Sequence, residues 1–216
     1  MNISIIGSGG VAQAIGSALI NKGHQVTLSA REASKPEAVE WATQSGGSVV
    51  AFSEVSATAD IYLNCTAGMH SLAALQSVGV STLAGKVLVD VANPLDFSNG
   101  FPPTLSVCND LSLAEQIQVL LPTTNVVKAL NTVANSVMVN PDIVPGRHHL
   151  PIAGNDSQAK AKVIGLLGEF GWSAEQIVDL GDISQARGTE MYLALWVRMF
   201  GKFGTPNFNI QWQVGK

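Results

Sequence analysis

The residues with the clearest chemical pattern are Gly7-Ser8-Gly9-Gly10-Val11-Ala12, set directly after the largely apolar segment 3–6. They fit Gly-x-Gly-x-x-Ala between a strand and a helix, the context in which such a turn binds a dinucleotide. Gly7 permits the tight turn out of the strand, Gly9 lets the backbone approach a pyrophosphate, and Ala12 is small enough for the helix to pack on the strand. The free N–H groups and the dipole at the helix start attract phosphate. All six residues are therefore expected to contact a cofactor. An NAD enzyme places Asp or Glu at the end of the second strand to bond the ribose 2′-hydroxyl. Here that place holds Ser29, Ala30 and Arg31, with Lys35 four residues further on. A hydroxyl and a guanidinium suit a 2′-phosphate, the latter through charge-assisted hydrogen bonds. The expected cofactor is NADP(H), with Glu32 pointing elsewhere.

These residues need a framework. Apolar runs alternate with helical periodicity: strands are expected at 2–6, 25–29, 48–52, 60–64, 86–91 and 125–130, with helices at 11–21, 37–45, 71–78 and 111–121. Such alternation implies α/β architecture, a parallel sheet with helices on both faces. The stretch 93–109, rich in Pro, Gly and Asn, reads as a loop. After Asn140 the spacing loosens, and a strand at 149–153, a helix at 157–170, a short strand at 176–179 and a helix at 183–199 follow. The expected division is a cofactor-binding domain over 1–140 and an extension over 141–216, packed on the same sheet and contributing to a dimer interface.

Ligands bind outside the carboxyl ends of strands in such sheets. The residues there are Asn64, Cys65 and Thr66 after the fourth strand, Ala92, Asn93, Pro94 and Leu95 after the fifth, and Asn131 and Thr132 after the sixth. These small or amide-bearing groups suit a nicotinamide ring and its carboxamide, with Pro94, Leu95 and Thr132 assigned to the substrate. His70 is the titratable side chain near this edge. It is the candidate general acid, or else a residue that bonds or stacks beside the cofactor. Cys65 has no activating base nearby in sequence and reads as a buried small thiol. Lys128, inside a central strand, reads as an edge or snorkelling residue. His148 and His149 point to opposite faces of a strand, so no metal site is expected from them. Trp196 and its neighbours read as core or subunit interface.

Composition narrows the partners. Charged residues make up 13% of the chain, against about 25% in an average soluble protein, which points to surface covered by oligomerisation or to a large core. The net charge is −4 with no Lys/Arg cluster, so nucleic acid is not an expected partner. The two cysteines suggest neither a disulfide framework nor a zinc site. The late apolar stretch 191–200 contains Arg198 and is too short to span a bilayer. A cytoplasmic protein without a membrane part is expected.

The segments IGSGGVAQAIGSALINKGHQVTLSAR, VLVDVANPLDF, VVKALNTVAN, PIAGNDSQAKAKV and RGTEMYLALWVRMFG lie in order over nearly the whole chain. Together they resemble the deazaflavin (coenzyme F420)-dependent NADP oxidoreductases and their dinucleotide-binding relatives. The resemblance implies a Rossmann-type doubly wound sheet with a small C-terminal α/β extension, and a homodimer. It implies that Arg31 and Lys35, with Ser29 nearby, hold the 2′-phosphate, and that the 93–95 and 131–132 loops line the place where nicotinamide meets its partner. It implies a deazaflavin or flavin cosubstrate. The family commonly has serine just before the arginine, where this chain has Ala30, and Val-Pro where it has Cys65-Thr66. The leading expectation is hydride transfer between NADPH and a flavin-like or deazaflavin cosubstrate. Two others stand beside it: reduction of a small imine or carbonyl such as a pyrroline carboxylate, with His70 as proton donor, and a non-catalytic NADPH sensor.

Overall fold

In the computed structural model, residues 1–215 are described. Short runs of Ile, Val and Leu form the strands, and segments with helical spacing cover them. The first half runs β1 (Asn2–Ile6), α1 (Gly10–Asn21), β2 (Gln25–Ala30), α2 (Pro36–Ser45) and β3 (Ser48–Ala51), then β4 (Ile61–Asn64), α3 (Gly68–Val78), α4 (Val80–Leu83) and β5 (Val87–Asp90). A small hairpin, β6 (Leu95–Asp96) and β7 (Thr104–Leu105), interrupts the stretch expected to be all loop. There follow α5 (Leu113–Leu120), β8 (Asn125–Lys128), α6 (Asn135–Val139), β9 (Leu150–Gly154), α7 (Ser157–Glu169), β10 (Ile177–Asp179), α8 (Ala186–Met191) and α9 (Leu193–Phe203). The last helical region opens at the expected place with a 3-10 turn, Ile183–Gln185, ahead of α8, and continues to Phe203 with a junction at Tyr192.

The main sheet has eight strands in the order β10-β9-β8-β5-β4-β1-β2-β3. From β8 to β3 every pairing is parallel. The chain leaves β1 in one direction toward β2 and returns on its other side at β4, so the carboxyl ends of β1 and β4 flank the crevice where such sheets bind ligands. Strands β9 and β10 are parallel to each other but antiparallel to β8. The parallel sheet expected for the first part of the chain is thus present, and the extension adds two strands of reversed direction to its edge. The connection after β8 holds only the five-residue helix α6 before Pro141.

Alternation along the strands builds two cores. Ile3, Ile5, Ile61, Leu63, Val89 and Val127 face α1 and α7 with Ile15, Leu19 and Val163. Ile6, Tyr62, Leu88 and Val126 face α3 and α5 with Leu75 and Ile117. Two glycines fix how closely the loops meet. Gly7 has φ +122° and a Cβ there would lie 2.7 Å from the Cys65 carbonyl oxygen. A Cβ at Gly68 would lie 2.0 Å from the Asn93 carbonyl oxygen, so α3 starts hard against the turn after β5.

Lys128 is not the edge or snorkelling residue expected; its side chain is fully buried. The ammonium lies 2.8 Å from Asp90 Oδ2 on β5 and 2.8 Å from Glu190 Oε1 on α8, and it also donates to the Ala92 carbonyl. Asp90 Oδ1 accepts from Asn64 Nδ2 at 2.8 Å. Glu190 accepts the Leu113 and Ala114 amides at 2.7 and 3.1 Å, so the second carboxylate is neutralised by the N-terminus of α5. Burial works against the ammonium, but the charges and hydrogen bonds of Asp90 and Glu190 outweigh it and hold Lys128 above the ordinary lysine value.

Two outcomes follow from this packing. Gly68→Ala forces the Asn93 backbone aside and should lower the urea midpoint by about 1–3 kcal/mol of stability at unchanged m-value. Lys128→Met leaves two buried carboxylates without their cation and should cost about 3–5 kcal/mol. Adding Asp90→Asn should restore part of that loss, and strictly additive effects in the same urea series would show that the charges are not coupled.

Candidate functional site

Two cavities open along the carboxyl ends of the central strands and share Cys65, Thr66 and Ala67. The first, about 480 Å³, lies between the turn after β1, the end of β2 and the start of α3. Gly7, Ser8 and Gly9 line it together with Ala30, Arg31 and Lys35. A Cβ at Gly9 would meet nothing within 4 Å, so the space above this backbone is open. No side chain caps α1 and its first turn carries no acid. Its leading N–H groups therefore lack side-chain partners, which is the arrangement that receives a phosphate. Ala12 is fully buried beneath, in the core between helix and sheet. The cradle and the two cations together fit a dinucleotide carrying an extra phosphate.

Two expectations about this end, for Ser29 and Glu32, are corrected. Ser29 is fully buried, with its hydroxyl donated to the Ile5 carbonyl at 3.3 Å. It belongs to the sheet and does not line the cavity of Arg31 and Lys35. Glu32 does not point elsewhere: it lines that same cavity and offsets one of the two positive charges. His70 is exposed and lines this first cavity too, away from the second.

The second cavity, about 600 Å³, lies on the other side of the shared strip. Gly10 and Val11 form one edge, and Ala92, Asn93, Leu95 and Asn131 form another. Asn131 Nδ2 donates to Asn93 Oδ1 at 3.0 Å, and Asn93 Nδ2 donates to the Asn131 carbonyl at 2.8 Å. This reciprocal pair ties the turn after β5 to the turn after β8. Trp196 and Phe200 of α9 supply the far wall; their rings stack with centroids 5.7 Å apart. Trp196 is thus a wall of the site rather than only core or interface. Among the described residues, no charged side chain lines this cavity, and the one titratable group on it is the Cys65 thiol. Burial, with the Asp90 carboxylate nearby, pushes that thiol well above the ordinary range, so it is not a nucleophile at neutral pH.

Other expected site residues stand behind the surface. Asn64 is fully buried and lines neither cavity. Its Oδ1 accepts from Thr66 Oγ1 at 2.7 Å, so it orients the shared strip from below. Pro94 is buried under Gly68. Thr132 is separated from its neighbour Asn131 and lines a smaller, third cavity. His148 and His149 part as expected: His148 is buried against Trp172, while His149 stacks on Trp212. Among the described residues, no group of three or more His, Cys, Asp or Glu is placed to hold a metal. Among them, too, no helix is long and apolar enough to cross a membrane.

Sequence reasoning missed Trp196, Phe200, Met138 and Asn135 as lining residues. The four-residue spacing of Trp196 and Phe200 marked one helix face, but nothing local said what that face covers. Asn135 donates to the Gly10 carbonyl at 3.4 Å, a link between distant segments.

Comparison with known proteins bears on these cavities. The family described as coenzyme F420-dependent NADP oxidoreductase matches residues 2–94. A chain from Arthrobacter sp. FB24, provisionally assigned as an F420-dependent NADP reductase, is 43% identical over 99% of this chain and 100% of that one, with a TM-score of 0.93. A hypothetical protein from Sinorhizobium meliloti is 21% identical, covering 85% of this chain and 86% of that one, with a TM-score of 0.64. A reductive aminase from Aspergillus terreus, solved with NADPH and ethyl levulinate, is 20% identical with a TM-score of 0.65, over 94% of this chain but only 62% of that one. The last two show the fold alone. No curated protein matches significantly. With the phosphate cradle in place and this identity running the length of the chain, the protein belongs to the coenzyme F420-dependent NADP oxidoreductase family and is an NADP-dependent oxidoreductase.

Proposed function

We propose that the protein transfers hydride between NADP(H) and an uncharged planar ring of the flavin or deazaflavin type. The observation that carries this reading is the second cavity, roomy and walled by Trp196 and Phe200, with no charged side chain and no competent proton donor on its lining among the described residues. NADPH supplies the hydride when bound. The residues of the chain bind, orient and exclude water. The backbone of Gly7–Gly10 receives the pyrophosphate, and Arg31 and Lys35 hold the 2′-phosphate, with Glu32 tempering their charge. The Asn93–Asn131 pair keeps the two turns at fixed separation beside the reacting rings. The apolar walls remove water and present flat faces for stacking. Hydride transfer to a ring that holds its own charge needs this placement more than it needs an acid.

Reduction of a small imine or carbonyl is the competing reading. It calls for a proton donor beside the acceptor, and His70 lines the other cavity. The carboxylate of a pyrroline carboxylate would meet no cation on the apolar walls.

Paired fluorescence titrations with NADPH and NADH should give an NADPH preference of about tenfold or more, roughly 1.4 kcal/mol. Arg31→Asp should abolish that preference; unchanged affinity would overturn the assignment of the 2′-phosphate. Absorbance assays should show NADPH oxidation with a deazaflavin or flavin acceptor. His70→Phe should keep kcat there, with any effect confined to the KM for NADPH, whereas loss of a general acid would cost about a hundredfold or more. If no ring acceptor is reduced while a small imine is, and His70→Phe abolishes that turnover, the competing reading replaces ours.

A further inference from the structure

Beyond α9 the chain runs without regular structure as a strap, 204–212, past the start of β9, where the His149 amide donates to the Ile210 carbonyl at 2.9 Å. The strap helps to build the second cavity. Pro206 lines that cavity directly, and Phe208 stacks on Trp196 with ring centroids 5.2 Å apart. Asn207 Oδ1 accepts from Ser136 Oγ of α6 at 2.7 Å. None of the strap residues carries a charged side chain.

Its side-chain hold on the sheet centres on Asn209. Nδ2 donates to His148 Nδ1 and to the His149 carbonyl, both at 2.9 Å, while Oδ1 accepts the Ile210 amide at 2.8 Å. Backbone groups fix every role in this set. A carbonyl only accepts and an amide N–H only donates, so the Asn209 side chain cannot turn round without setting like against like. On the other side of the imidazole, His148 Nε2 meets the Pro141 carbonyl at 3.2 Å. That nitrogen therefore carries the proton, and Nδ1 presents its lone pair to Asn209. His148 is 3% exposed, so bulk water does not take the place of either partner.

We propose that Asn209 is a positioning residue for the aromatic wall of the second cavity, and that it holds only against neutral His148. A proton on Nδ1 sets N–H against N–H. Asn209 must then withdraw, losing the ring and the His149 carbonyl together, and Phe208 and Pro206 move with it. The docked strap binds fewer protons than the released one, so docking strengthens as pH rises and is lost as pH falls. The charged groups on the surrounding elements are Asp142 beside Pro141, Glu169 and Glu175 flanking Trp172, and Arg147. Glu169 bonds His24, and Arg147 pairs with Glu175 at 3.1 Å. Among the described residues, none of them bonds the His148 ring. His149 acts in the same direction at the far end of the strap, where its Nδ1 accepts the Trp212 amide at 3.0 Å.

The test follows the indole N–H resonances of the 15N-labelled full chain, which needs no acceptor. Lowering the pH from about 8 to about 5.5, across the range in which histidine changes charge, should shift Trp196. Trp41, bonded to Ser17 away from the strap, should stay in place and report an intact fold in every variant. His148→Gln has no proton to gain and should hold Trp196 fixed, leaving only Trp212 to respond to His149. Asn209→Asp faces His148 with an acceptor and should reverse the direction, docking the strap in acid and releasing it in base. The effect on turnover rests on the reading that a ring acceptor occupies the second cavity. There the acceptor KM should rise about fivefold as pH falls, the worth of one neutral hydrogen bond, and His148→Gln should lose most of that rise. A Trp196 resonance that ignores pH, or that moves equally in His148→Gln, overturns the proposal. So does an acceptor KM with one pH profile in both chains. If Trp196 responds as expected and no ring acceptor is reduced, the hold of Asn209 on the wall stands and the hydride reading falls.

Discussion

Two carboxylates and one ammonium are held out of water where β5, β8 and α8 meet. Asp90 and Lys128 lie side by side on adjacent parallel strands, in register, and that pair alone would tie together only the sheet. Glu190 makes it a clamp for the whole molecule, because it reaches Lys128 and the first amides of α5 at once. The same helix grips α5 a second time through Arg187 and Glu115, and the guanidinium hydrogen bonds hold that carboxyl below the usual range. The start of α5 is further closed by Ser112 and Glu115, which bond each other's backbone. Two walls of the second cavity connect to this knot. The Ala92 carbonyl, at the root of the 93–95 turn, accepts from Lys128. Glu190 sits three residues before Leu193, the first residue of α9 on the opposite wall.

The two main cavities divide recognition by chemistry. One is lined by open backbone, two cations and an acid, and suits a phosphate-bearing ligand whose charge does most of the selecting. The other is apolar and aromatic, and suits a ring recognised by shape. The strip Cys65–Thr66–Ala67 belongs to both, and it is pinned from beneath by the Asn64–Asp90 hydrogen bond and by Thr66 bonding Asn64 and Ser71. A ligand spanning the two cavities therefore rests on a floor held by the same buried charges that hold the walls.

Much of the first cavity was legible in the sequence because its information is local. A strand, three glycines and a helix start lie within one turn of chain, and Arg31 follows the next strand directly. Ser29 was misread because a strand-end residue points either out to the crevice or along the sheet, and only the pairing with β1 decides: Ser29 stands opposite Ile6 and its hydroxyl donates to the Ile5 carbonyl. The two roles left open for His70 part on position: it lines the cavity of the phosphate cradle, beside Arg31 and Lys35, which fits a residue that bonds or stacks beside the cofactor. The second cavity was half legible. Its turns after β5 and β8 follow from strand ends, whereas Trp196 and Phe200 arrive from a helix far along the chain, just after the one that carries Glu190. Nothing near Lys128 in sequence announces that partner, and an apolar strand such as β9 carries no mark of its direction. Long-range pairing of charges and strand polarity are properties of the assembled chain.

The order in which these parts occur along the polypeptide has a consequence for its synthesis. The phosphate cradle and its cations are all encoded before the middle of the chain, and Asp90 and Lys128 meet within the parallel part of the sheet. Glu190, Trp196 and Phe200 leave the ribosome long afterwards. A nascent chain thus carries the residues of its phosphate cradle while the amides of α5 still lack their carboxylate and the second cavity still lacks its aromatic wall. The wall and the last charge of the buried knot are both supplied by the final thirty or so residues of the sequence.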